Sequence, residues 1–265
     1  MKENQQLITA CGVGDVAPHV FLCGDPDRVP KIAASWTDVR EVCRTREYVI
    51  QTGMRDGVAL TAASTGVGGP STAVIVEELV NLGAHTLIRV GNSGGLGADV
   101  NRGDYVITTA SVRDDGTSKS YVCPEYPAAA HYAVTGALVD AAKDSSTKVH
   151  VGITWSLDAF YARNKVLGPD GLLPMSHGGY QQSWMNGKVT DMQAAKVLNV
   201  EMESSTILTL ANLFGVRAGC ICTVSDKTPW PGPGEEIIDL DQNIAGAIEI
   251  ANRAMVALAT NVSLA

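Results

Sequence analysis

The stretch Leu87-Ile88-Arg89-Val90-Gly91-Asn92-Ser93-Gly94-Gly95 sets one arginine inside an apolar run that then breaks into small polar residues and glycines. Such a run reads as a buried parallel strand whose carboxyl end opens into a loop. In open α/β sheets, strand ends of this kind are where ligands bind. Glycines let a ligand approach the backbone, Asn92 and Ser93 offer donors, and Arg89 offers a rigid fork suited to an oxyanion. The same residues also suit an ordinary strand-to-helix turn in which Arg89 pairs with a structural carboxylate.

Two further strand ends share this character. His19-Val20-Phe21-Leu22-Cys23 breaks into Gly24-Asp25-Pro26-Asp27-Arg28-Val29 before a helix expected over Pro30 to Trp36. Backbone N–H groups there, with the Arg28 guanidinium, would suit a phosphate, although a solvated Asp-Pro turn reads the same way. Tyr48 to Thr52 and Val58 to Ala63 flank the turn Arg55-Asp56-Gly57 as a hairpin. The second strand then runs into Ser64-Thr65-Gly66-Val67-Gly68-Gly69-Pro70-Ser71-Thr72 and a helix over Ala73 to Leu82. A dinucleotide fingerprint would need an acidic residue at the end of the following strand; that strand carries Arg89 and ends in Gly91 and Asn92, which leaves dinucleotide binding a weak rival.

Farther on, strands are expected over Asp104–Ala110, Val149–Trp155 and Arg217–Val224, with a polar loop over Ser111–Ser118. Helices are expected over His131–Lys143, Ser204–Leu213 and about Asp239–Leu258, with a polar segment over Ser225–Gly234. A long irregular stretch from Ser156 to about Gly187 has the length of a lid or binding loop. Glu201 and Glu203 follow it in apolar company. A carboxylate in a water-poor site can accept both hydroxyls of a ribose while Met202 packs on the sugar, and acids at a helix start can equally answer its dipole.

Composition narrows the partner. A formal net charge of -8 without a basic cluster excludes nucleic acid and anionic membrane as the main partner, and 265 residues without a linker read as one domain. The apolar runs are shorter than a bilayer span and Met1–Gln6 has no signal pattern, so a soluble, cytoplasmic protein is expected. The six cysteines lack paired metal-ligand spacing and read as reduced core thiols, with Cys220 and Cys222 on one strand face.

Taken together, Gly24-Asp25-Pro26-Asp27-Arg28, Arg46-Glu47-Tyr48, Ser64 to Ser71, Ile88-Arg89-Val90-Gly91, Ser111-Val112-Arg113 and Val200-Glu201-Met202-Glu203 resemble the ordered motifs of nucleoside phosphorylases of the uridine phosphorylase and hexameric purine nucleoside phosphorylase type. The resemblance spans about residues 19–258. It implies a single-domain, three-layer α/β/α fold over 1–265 with a mixed central sheet, and phosphorolysis of a nucleoside to free base and (deoxy)ribose 1-phosphate. Inorganic phosphate would be the co-substrate, with no metal and no dedicated cofactor. Phosphate would lie on Gly24, Arg28, Arg89 and Asn92, with Arg46 reaching the neighbour's phosphate in a homodimer or a hexamer built as a trimer of dimers. Ribose would lie on Glu201, Met202 and Glu203, and Phe160 would pack near the base. Arg89, Glu203 and Asp226 would carry the chemistry.

The base is where the resemblance divides. Uridine-type enzymes clamp the uracil edge with a glutamine and an arginine soon after the Phe-Tyr pair; this chain has Arg163 and Asn164 displaced from that register, with Gln181 and Gln182 farther along. Thr223-Val224-Ser225-Asp226 resembles the purine-type motif whose aspartate protonates the leaving purine, and Lys227 and Trp230 follow it in an unfamiliar loop. The N-terminal histidine that uridine-type enzymes lend to a partner's ribose is missing. Uridine is the expected substrate, a purine nucleoside (guanosine or inosine) the alternative, and a nucleosidase or a non-catalytic nucleoside-binding protein on the same fold the remaining rivals.

Overall fold

The computed structural model describes residues 5–185, 187–228 and 244–260. Trp230, most of the Ser225–Gly234 segment and the expected helix start at Asp239 lie outside them. In chain order the elements are β1 (His19–Cys23), α1 (Arg28–Ala33), β2 (Thr37–Thr45), β3 (Tyr48–Arg55), β4 (Val58–Ser64), α2 (Gly69–Asn81), β5 (Thr86–Gly95), β6 (Tyr105–Asp114), α3 (Thr117–Tyr121) and β7 (Ala128–Ala129). They continue as α4 (Tyr132–Ala141), β8 (Val149–Leu157), α5 (Phe160–Arg163), β9 (Lys165–Gly168), β10 (Gly171–Pro174), α6 (Lys188–Ala194), β11 (Asn199–Glu201), α7 (Ser204–Phe214), β12 (Arg217–Lys227) and α8 (Ile244–Thr260).

Most strands join one mixed sheet in the order β11-β8-β6-β12-β5-β1-β4-β3-β2, and β11 pairs back onto β5. That second pairing closes β11, β8, β6, β12 and β5 into a ring, so the sheet is open only on the β2 side. Side chains alternate between the faces, as the two-residue period of a strand requires. Phe21, Ile88, Ile107 and Ile221 pack with Ala133, Leu138, Ile250 and Met255 on the face covered by α1, α4 and α8. Val20, Leu22, Ile50 and Leu87 pack with Ile75, Leu79, Ile207 and Leu210 on the face covered by α2 and α7. Helices on both faces of a mixed sheet give the expected three layers.

The structure corrects several boundaries. β5 does not open into a loop after Gly91 but runs to Gly95, because Gly94 and Gly95 pair antiparallel with Val200 and Asn199 while β12 runs parallel along the other edge. Ser111–Asp114 belongs to β6 rather than to a loop, and a helix starts at Arg28, ahead of Pro30. Residues 37–45 form an edge strand that hydrophobic patterning hides, since most of its side chains are exposed. The 156–187 stretch is not wholly irregular: it holds the end of β8, α5 and the antiparallel pair β9–β10. Cys123 is exposed, whereas the other five cysteines are buried free thiols, Cys220 and Cys222 lying 3.6 Å apart. Arg113 serves the fold, its guanidinium donating to Ser118 Oγ and to the carbonyls of Ser118, Cys123 and Tyr126. No helix among the described residues is long and apolar enough to cross a membrane.

Two histidines meet at the amino ends of β1 and β5. The rings of His19 and His85 meet edge to face with centroids 4.8 Å apart, and Arg217 donates to Thr86 Oγ1, which His85 Nδ1 also meets at 2.9 Å. Burial, His85 and Arg217 together push His19 down to about 4. Because that value lies below the unfolded one near 6.5, the fold keeps its full stability above pH 6.5 and loses some as the pH falls towards 4. For this half-buried ring the loss is about 2 kcal/mol after solvent screening. Urea unfolding of wild type and His19→Gln at pH 7 and pH 4.5 should therefore show a smaller acid loss in the variant. An equal loss in both would remove His19 from the acid response.

Candidate functional site

A cavity of about 570 Å³ opens at the carboxyl ends of β1, β4, β5 and β12, a size suited to a small organic ligand. Gly24, Asp25 and Arg28 wall it from the β1–α1 turn, Asn92, Ser93 and Gly94 from β5, and Val200, Glu201, Met202 and Glu203 from β11 and the turn after it. Phe160 and Asn164 close it at α5, and Ser225, Asp226 and Thr228 from β12.

Arg89 sits at its floor, 3 % exposed. Its Nε donates to Glu201 Oε2 at 3.0 Å, and its Nη2 lies 2.6 Å from Glu203 Oε2. Nη1 is buried without a hydrogen-bond partner. The guanidinium folds back along its own strand. A Cβ on Gly91, two residues on and on the same face, would come within 2.7 Å of Nη2, so glycine is what gives the fork its room. Burial alone would weaken the charge, but Glu203 and Glu201 hold the Arg89 pKa well above its ordinary value.

The two glutamates divide their work. Glu201 accepts from Arg89, from the N–H groups of Glu203 and Ser204 at 2.9 Å each, and from Ser204 Oγ at 2.5 Å. Its oxygens are taken up in fixing Arg89 and the first turn of α7, a role in which carboxylates at a helix start are favoured. Glu203 accepts from the Gly68 N–H at 2.5 Å and pairs with Arg89. Burial and the neighbouring Glu201 raise its pKa, against the pull of Arg89.

Asp226 reaches the cavity by a register shift in β12, where Val224 pairs with Ser93 and Asp226, not Ser225, with Gly94. A Cβ on Gly94 would stand 2.7 Å from Thr228 Oγ1 and 3.0 Å from Asp226 Oδ2, so Gly94 leaves space for both side chains. Burial raises the Asp226 pKa, while the Ser225 hydroxyl, 2.7 Å from Oδ1, and Arg102 pull the other way. Arg28 is also buried, and its guanidinium has neither a side-chain hydrogen bond nor an ion pair among the described residues.

Ten of the residues singled out in the sequence thus line or floor one cavity: Gly24, Arg28, Arg89, Asn92, Phe160, Asn164, Glu201, Met202, Glu203 and Asp226. Arg46, Arg163, Gln181 and Gln182 do not reach its wall. Arg163 pairs with Asp114, and Gln181 meets the Lys165 ammonium. Arg46 stands exposed at the β2–β3 turn with φ of 51°, beside a second, shallower pocket that shares Glu47, Gly66 and Val67 with the first. The sequence reading gave no role to Thr228 or Glu47. Thr228 had a signal, since it lies two residues beyond Asp226, just past the end of β12; Glu47 had one too, since it stands between Arg46 and Tyr48 in one of the motifs that carry the family resemblance.

Arg89 Nη1, Asn164 Oδ1 and Thr228 Oγ1 are all buried at this cavity without a partner. Buried polar atoms are nearly always satisfied, so three orphans around one space point to a polar ligand.

Comparison with known proteins agrees with this geometry. The sequence profile of the phosphorylase superfamily matches residues 18–259. A uridine phosphorylase of Thermococcus kodakarensis is 47 % identical over 84 % of this chain and 78 % of its own length. A uridine phosphorylase of Escherichia coli is 40 % identical over 88 % and 90 %, and a guanosine phosphorylase of Halorubrum lacusprofundi 40 % identical over 80 % and 79 %.

Replacing Glu201 takes the charged acceptor away from Arg89 Nε, from the Glu203 and Ser204 N–H groups and from the Ser204 hydroxyl at once, and breaking such a buried network costs about 3 kcal/mol or more. Glu201→Gln should therefore lower the Tm by roughly 10 °C in differential scanning calorimetry. A shift within about 2 °C would show that Glu201 does not hold the site together.

Proposed function

The chain belongs to the phosphorylase superfamily, and from that premise we propose that it is a uridine phosphorylase-like nucleoside phosphorylase, cleaving a nucleoside with inorganic phosphate to free base and (deoxy)ribose 1-phosphate. The observation that carries this reading is the set of orphaned polar atoms around one cavity, headed by Arg89 Nη1.

In this reading phosphate occupies the space between Gly24, Arg28, Asn92 and Arg89. Two buried guanidinium groups offset its charge, and the fixed fork of Arg89 holds it below the anomeric carbon. The carbon–nitrogen bond lengthens first, so positive charge develops on the ribosyl ring, and the adjacent phosphate dianion both stabilises that charge and forms the new bond. Glu203, with spare acceptor capacity, takes a ribose hydroxyl while Met202 packs on the sugar, and Glu201 keeps Arg89 in place. Phe160 packs against the base. Asn164 Nδ2 donates to the Phe160 carbonyl at 2.8 Å, which leaves Oδ1 to accept the imide N–H of a uracil. No metal or cofactor has a part, and phosphate is the co-substrate.

A second reading, a guanosine or inosine phosphorylase, is favoured by Asp226. Its burial raises its pKa, which suits a group that would hand a proton to the imidazole nitrogen of a departing purine, and one relative is a guanosine phosphorylase. A nucleosidase or a non-catalytic binder would have little use for Arg28 and Arg89 in one cavity. Arg46, exposed beside the second pocket, is proposed to serve the phosphate of a neighbouring subunit in a homodimer or a hexamer made of dimers.

One assay tests these readings together: uridine, thymidine, inosine, guanosine and adenosine, with and without phosphate, on wild type and Asp226→Asn. Uridine cleavage that requires phosphate and yields a sugar 1-phosphate is expected. Any purine cleavage should fall roughly 10²–10⁴-fold in the variant while uridine cleavage is spared, as for loss of a general acid. Equal rates without phosphate would replace the phosphorylase by a nucleosidase.

A further inference from the structure

Arg163 lies between the two residues that close the cavity at α5, Phe160 and Asn164, yet it turns away from the cavity. It pairs with Asp114 at the end of β6, whose Oδ2 also accepts the Trp155 Nε1 proton at 3.0 Å. The guanidinium carbon stands 5.3 Å from the centre of the Trp184 ring and 6.0 Å from that of Trp155, within range for attraction to both aromatic rings. Trp184 itself is 60 % exposed.

Two more ties bind the same segment to the same short element. The Met175 N–H donates to the Asn164 carbonyl at 3.4 Å, and the Lys165 ammonium donates to Gln181 Oε1. The segment 175–185 is thus fastened at Met175, Gln181 and Trp184 to Asn164, Lys165 and Arg163. Directly before α5, Ala159 holds a left-handed φ of 59°, a conformation that a non-glycine residue keeps only when its surroundings impose it.

We propose that Arg163 is a positioning residue: an Asp114–Arg163–Trp184 latch clamps segment 175–185 over α5 and so holds Phe160 and Asn164 against the nucleoside base. This rests on the nucleoside reading of the cavity for its ligand, while the latch itself rests on the contacts. It assigns Arg163 a purpose other than the direct contact with the base expected from sequence. The latch acts on the base wall, and the phosphate end of the cavity, formed by Arg28, Asn92 and Arg89, is separate from it.

The test compares Arg163→Ala, Arg163→Lys, Trp184→Ala and the double alanine variant. Either single alanine should raise the KM for nucleoside by about threefold to tenfold, the scale of a lost cation–aromatic contact, and move the phosphate KM by less than about twofold. The double variant should be no worse than the worse single one, since both remove the same contact. Arg163→Lys, keeping the charge, should recover part of the effect. A silent Trp184→Ala beside a strong, base-dependent Arg163→Ala would overturn the latch in favour of direct contact. Equal rises in both KM values would mark a general loss of structure and overturn it too. Acrylamide quenching of tryptophan emission reads the latch without turnover: Arg163→Ala should quench more readily than wild type, and that difference should vanish on a Trp184→Phe background. Identical quenching would overturn the latch whatever the enzyme cleaves, whereas a quenching difference in a protein that cleaves no nucleoside would leave the latch standing and remove the proposed function.

Discussion

One buried guanidinium between two carboxylates organises this molecule. Arg89 comes from the middle of the sheet, Glu201 from the short strand that closes it and Glu203 from the turn into α7, so their meeting ties three separate parts of the chain at one point. A buried charge is costly unless it is paired and hydrogen-bonded. Two glutamates on one arginine leave the cluster one negative charge in excess, which the N–H groups of Gly68, Glu203 and Ser204 share. Pairing for structure and readiness for a ligand are therefore compatible: two nitrogens of Arg89 hold the fold, and the third is left over.

The closure of the sheet serves that point. Because β11 pairs with both β8 and β5, the residues after it are delivered next to the end of β5 rather than to a distant edge. Gly94 and Gly95 make this possible, since a side chain at Gly94 would collide with Asp226, Thr228 and Val200. The cavity is thus a consequence of strand pairing: β1, β4, β5 and β12 all end on one side, and α5 with the segment beyond it covers what remains.

Much of this was legible in the residues. The apolar runs marked β1, β4, β5 and β12 because their side chains are buried, and the glycine-rich turns marked where the chain approaches the cavity. The two roles weighed for Arg89, structural partner of a carboxylate and holder of an oxyanion, both fit one residue, which a local pattern cannot express. What stayed hidden depended on distance in space. β2 was missed because an exposed edge strand carries no apolar alternation, and the end of β5 was misplaced because its pairing with β11 joins residues more than a hundred positions apart. Arg163 and Gln181 looked available for a base because polar residues in a long loop announce no partner, and Asp114 and Lys165 claim them.

The central claim is that the free edge of Arg89 is where phosphate binds. Titration calorimetry of inorganic phosphate into wild type and Arg89→Lys tests it directly, because lysine keeps the charge against Glu201 and Glu203 but loses the planar fork. The account predicts that the variant stays folded and binds phosphate about tenfold more weakly or worse. A folded Arg89→Lys variant with wild-type phosphate affinity would contradict it and leave Arg89 a structural residue alone.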